Sequence, residues 1–118
     1  MNLDGILMKV SSTAAKGVVT NRTYLRFMQK GSRVSARYSG GTVSRGYLVG
    51  AFLDHSRLVF RYTQVEASGA IHGGRSACDV ARRFDGRIRI LEHFTWRTRE
   101  GSGTNVFDET EAAPDTTV

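Results

Sequence analysis

The sequence predicts an all-β fold, a closed antiparallel up-and-down barrel of about eight strands. Three observations carry that prediction. Hydrophobic residues alternate with a period of two along most of the chain, and helical periodicity is weak. Turn residues recur at short, regular intervals. Thirteen glycines stand against a single proline in 118 residues, which suits many tight turns and few helices.

The predicted strands cover residues 4–12, 20–29, 32–39, 43–53, 56–65, 70–82, 86–97 and 103–109. In the third strand, Val34, Ala36 and Tyr38 alternate with Arg33, Ser35 and Arg37. Residues 43–53 carry apolar groups on both faces, and Gly46 and Gly50 interrupt them, as at bends where a sheet curls. We assign Tyr47 to the inner face there. In the fifth strand, Leu58, Phe60, Tyr62 and Gln64 alternate with Arg57, Val59, Arg61 and Thr63. In the sixth, Gly73 and Gly74 leave the facing of His72 ambiguous. The clearest strand is the seventh: Ile88, Ile90, Glu92, Phe94 and Trp96 share one face, and Arg87, Arg89, Leu91, His93, Thr95 and Arg97 the other. Hairpin signals separate the runs at Lys30-Gly31-Ser32, Ser39-Gly40-Gly41, Asp54-His55-Ser56, Ala67-Ser68-Gly69 and Asp85-Gly86. Closing the meander removes exposed edges. The expected organisation is one barrel domain over 1–109, with Lys16 to Asn21 covering one mouth and a disordered tail over 110–118.

The formal net charge is +6, and fourteen of the seventeen basic residues are arginine. They are spread along the chain rather than massed, which fits a solvated outer face better than a nucleic-acid patch; a basic nucleic-acid-binding barrel is the third reading of function, and the inward facing expected of most aromatics counts against it. One cysteine, Cys78, excludes a disulfide scaffold and suits a reducing compartment. Neither a signal peptide nor a 20-residue apolar run is legible, so a cytoplasmic location is expected and a membrane partner is not. Three histidines without ligand spacing and one thiol give no reason to expect a metal, and no cofactor motif is present. A homodimer through an outer wall is compatible with the fold.

Glu92 is the most informative residue, because it interrupts an apolar face. A carboxylate there needs a partner, a raised pKa or a ligand. It is the candidate acid–base residue if the protein is an enzyme, with His72 as a weaker candidate. The structural alternative is a buried ion pair with Arg61 or Arg75. Tyr38, Tyr47, Phe60, Tyr62, Phe94 and Trp96 are the candidate ligand-binding residues, since rings with a hydroxyl orient small molecules. Cys78 reads as a buried, inert thiol.

The stretches Ala36-Arg37-Tyr38-Ser39-Gly40-Gly41, Gly46-Tyr47-Leu48-Val49-Gly50, Phe60-Arg61-Tyr62, Asp85-Gly86-Arg87-Ile88-Arg89-Ile90 and Glu92-His93-Phe94-Thr95-Trp96 occur in this order. In them the chain resembles a family of bacterial avidin-like barrels, some of whose members carry the label N-acetylglutamate synthase. The resemblance implies an avidin- or lipocalin-like (calycin-like) barrel. By analogy of fold it implies binding of a small, partly apolar molecule without catalysis, or a cyclase or isomerase acting on such a molecule. Biotin does not carry over, because avidins use several tryptophans and this chain has only Trp96. The synthase label finds no phosphate-cradling turn at a helix start.

Overall fold

A computed structural model describes residues 1–14 and 17–111. Eight antiparallel strands close into a barrel in simple sequence order, β1 pairing with β8. They are β1 (Leu7–Ser12), β2 (Tyr24–Lys30), β3 (Arg33–Gly40), β4 (Val43–Phe52), β5 (Arg57–Glu66), β6 (Ile71–Arg82), β7 (Ile88–Trp96) and β8 (Ser102–Glu109). Among the described residues no helix is long and apolar enough to cross a membrane.

Alternation places the core. In β7 every second residue from Ile88 to Trp96 is buried, and in β5 so are Leu58, Phe60, Tyr62 and Gln64. Each large apolar side chain taken inside contributes about 1.5–3 kcal/mol. Leu3 and Met8 close the core from the N-terminal side, fully buried with Phe27 and Leu58.

Four inward aromatic rings each face a glycine across a ladder: Tyr38 opposite Gly46, Phe60 opposite Gly50, Tyr62 opposite Gly74 and Phe94 opposite Gly103. The interior is too narrow for a ring and a second side chain at one level. A Cβ on Gly46 would stand 2.2 Å from Tyr38 Cζ, and one on Gly74 2.5 Å from the Tyr62 hydroxyl. Gly46 in β4 and Gly74 in β6 are therefore spaces into which rings fold.

Tyr47 corrects the sequence reading. It lies on the outer wall, 51% exposed. A register shift between Val43 and Arg45 inserts one residue into β4, so Val43, Gly46 and Leu48 face inward. Without that bulge the same parity would carry Tyr47 inside.

Thr110 and Glu111, which the sequence reading assigns to the tail, are tied to the barrel. The Thr110 amide donates to the Leu7 carbonyl (2.9 Å), and Glu111 meets Arg87 at 3.4 Å. Residues 112–118, and Lys16 of the expected mouth cover, lie outside the described residues.

Candidate functional site

One mouth of the barrel holds an internal cavity of about 30 Å³. Gly17, Val18 and Val19 roof it, and Leu25, Leu48 and Phe107 supply part of its apolar wall. Tyr38, Phe60, Tyr62, Phe94, Trp96 and Glu92 also line it. Of the candidate catalytic and ligand-binding residues, Tyr47 and His72 fall outside. The roof is fixed by two hydrogen bonds: Thr42 Oγ1 donates to the Val18 carbonyl (2.7 Å), and the Gly17 amide donates to the Ala14 carbonyl (3.0 Å).

Glu92 is 5% exposed and sits opposite Cys78 on one side and Asn105 on the other. No arginine reaches it. Arg61 and Arg75 are exposed on the outer wall, so the ion-pair alternative does not hold. Its partners are neutral. Ser76 Oγ lies 2.6 Å from Oε2, and the Asn105 amide donates to Oε1 (2.9 Å). Asn105 is oriented in turn because its Oδ1 accepts from the Ala14 amide (3.2 Å). Burial pushes the Glu92 pKa up, and the hydrogen bonds from Ser76 and Asn105 offset only part of that push. In the protonated form Oε1 remains the acceptor for Asn105, and Oε2 carries the proton toward Ser76.

Two tyrosines stand near this acid. Tyr38 donates to Gln64 Oε1 (2.9 Å), and Gln64 Nε2 donates to Glu66 Oε2 (2.9 Å). Glu66 ends the chain of bonds against Arg99, whose Nη2 lies 2.8 Å from both carboxylate oxygens. Burial alone would raise the Glu66 pKa; the hydrogen bonds from Arg99 and Gln64 outweigh it and hold the carboxyl low. The Arg99 guanidinium also lies over the Trp96 ring at 4.7 Å. Tyr62 is different. It is 8% exposed, its ring packs edge-on against Trp96 (5.3 Å between centroids), and its hydroxyl has no hydrogen-bond partner. Among the described residues it is the one buried side-chain polar atom in that condition. Burial, then the nearby Glu92, push the Tyr62 pKa up, so the hydroxyl stays a donor.

His72 stands at the rim of the same mouth. It shares a hydrogen bond with Thr98 Oγ1 (2.7 Å) and meets the edge of Trp96 (6.3 Å between centroids). It does not pair with Glu92, whose hydrogen-bond partners are Ser76 and Asn105. Cys78 is buried beneath Glu92, and its pKa is raised by burial and then by that acid. Among the described residues no group of three His, Cys, Asp or Glu side chains converges as a metal site.

The sequence reading missed Ser76 and Asn105. Both lie on inward parity, Ser76 two residues before Cys78 and Asn105 two before Phe107. A polar residue on a buried face was the available signal.

The fold and the cavity define a small closed up-and-down barrel with a lined internal site at one mouth. The chain belongs to the avidin-like protein family, whose model matches residues 1–110. No curated protein and no solved structure matches the chain.

Proposed function

We propose that the barrel binds one small, partly apolar molecule at this mouth, without catalysis. The observation that carries the reading is the buried Tyr62 hydroxyl, a donor with no partner, beside a Glu92 carboxyl that burial favours in its protonated form. Leaving a buried donor unmade costs about 1–3 kcal/mol, and a ligand acceptor would recover it. Rings from Phe60, Phe94 and Trp96 would take the apolar part. The avidin-like family typically binds small ligands, which supports the reading. A space of about 30 Å³ takes one or two waters. A larger guest therefore requires Val18 and Val19 to leave the mouth, which breaks the Thr42–Val18 hydrogen bond, and its apolar part replaces theirs.

The enzymatic reading, a cyclase or isomerase, rests on Glu92 as a proton donor. Its weakness is that both carboxyl oxygens are already engaged by Ser76 and Asn105. A single, buried cysteine is compatible with a reducing compartment, and we place the protein in the cytoplasm on that ground.

Trp96 is the sole tryptophan and lines the cavity, so its emission reports occupancy. A panel of neutral cyclic alcohols, ketones and lactones is titrated against it. At least one should give a saturable shift that Tyr62→Phe weakens several-fold. A panel that leaves the emission unmoved at millimolar concentration overturns the proposal.

A further inference from the structure

The outer wall formed by β3 to β6 is predominantly basic. Arg33, Arg37, Arg45, Arg61 and Arg75 all face solvent there. None of the five makes an ion pair among the described residues. Arg57 at the end of this wall, and Arg83, Arg87, Arg89 and Arg99 elsewhere, each have a carboxylate partner; Arg22, Arg26, Arg82 and Arg97 likewise have none among the described residues. The one carboxylate on this wall, Asp79, sits near its end and is already paired with Arg57 (3.4 Å), with His93 Nε2 3.7 Å away.

The ladders place these cations around a ring. Tyr47 stands directly opposite Arg37 on β3 and Thr63 on β5. Arg45 precedes it by two residues on the same face, roughly 6.7 Å along the strand. In the adjoining row Val49, Arg61 and Arg75 lie in line across three strands. Like charges directly opposite one another are destabilising, and Arg61 faces Arg75 with no acid between them. Two surface depressions, of about 730 and 240 Å³, meet at Val49. A second copy of the chain would bring arginine against arginine on this wall. An anion relieves the repulsion.

We propose that this wall binds single-stranded nucleic acid without reading its sequence, a base stacking on Tyr47 while Arg37, Arg45, Arg61 and Arg75 hold phosphates. Arginine grips phosphate through two parallel N–H groups, and an exposed ring among cations is the arrangement single-strand binders use. The inference is independent of the interior site, since Tyr47 and the five arginines point away from it.

The test is fluorescence anisotropy of the whole chain with a labelled oligothymidylate of about fifteen nucleotides. Four neutralised phosphates predict that affinity falls about 50-fold between 50 and 200 mM salt. The double variant Arg61→Ser, Arg75→Ser should weaken binding and reduce the slope of log K against log salt by about 1.4. Tyr47→Ala should weaken binding at least about fivefold and leave that slope unchanged. Arg87→Ser, at the far end of the barrel, should change nothing. Circular dichroism confirms that each variant is folded. Absence of saturable binding at 50 mM salt overturns the inference. So does polyglutamate binding as tightly as the oligonucleotide with no loss in Tyr47→Ala, which would make the wall a docking face for acidic protein.

Discussion

Replacing Glu92 by glutamine should make the protein more stable at neutral pH, and by an amount that depends on pH in a defined way. The neutral amide reproduces the protonated acid: its oxygen accepts from Asn105, and its Nε2 donates to Ser76 Oγ in place of the carboxyl proton. The folded carboxyl has its pKa raised above the ordinary 4.5, chiefly by burial. Below that value both folded and unfolded chains are protonated there, and the acid brings no penalty. Above it the unfolded chain releases the proton while the folded one retains it, so wild-type stability falls as pH rises. Each pH unit in that interval is worth about 1.4 kcal/mol, up to the folded pKa, beyond which the loss is constant. Between 4.5 and 7 the advantage of Glu92→Gln therefore grows with pH, to no more than roughly 3 kcal/mol. Urea unfolding of both proteins at a series of pH values, followed by Trp96 emission, measures the difference. All other titrating groups are common to the pair and cancel. A difference that stays flat with pH, or a variant less stable at pH 7 than at pH 4 relative to wild type, refutes the reasoning, because the carboxyl would then be ionised in the folded state.

Tyr62→Phe removes a buried donor that has no partner, so it should stabilise the empty protein by about 1 kcal/mol; a loss of stability in urea would show that the hydroxyl is satisfied. Gly46→Ala puts a Cβ 2.2 Å from Tyr38 Cζ and should destabilise by about 1–3 kcal/mol, read as a lower thermal midpoint. Asp108, at 8% exposure, accepts from Arg89 Nε (2.7 Å), Arg89 Nη2 (3.0 Å) and Ser11 (2.6 Å), with the Arg89 bonds the largest reason that its pKa is lowered. It stabilises above the ordinary 3.8, and that contribution is lost as pH falls through the lowered value. Asp108→Asn should therefore cost about 2 kcal/mol at pH 7 and flatten the acid limb of the stability curve.

The fold was legible because a period of two, broken by hairpin residues, has few readings in a chain this short. The facing of Glu92 followed from its neighbours Ile90 and Phe94 alone. Tyr47 was misread because a single inserted residue between Val43 and Arg45 reverses parity, and both faces of that strand carry apolar groups. The partners of Glu92 were illegible for another reason. Ser76 and Asn105 reach it across ladders, and the registers that set those ladders are properties of the closed barrel. Charge suggested an arginine partner, yet the arginines on the flanking strands stand on outward parity. The size of the cavity depends on how the inward rings of Tyr38, Phe60, Tyr62 and Phe94 pack across from their opposing glycines, which no local pattern reports. Dispersed in sequence, the arginines of β3 to β6 come together only when the ladders align them.

The claim most exposed to test is that the mouth beneath Val18 and Val19 accepts a guest. Native mass spectrometry of the chain purified from its own cells should show a retained species of one small molecule per barrel. The same preparation of Leu48→Phe, which fills the cavity, should lack it. Wild-type protein that flies only at its bare mass, identical to the filled variant, would contradict the account.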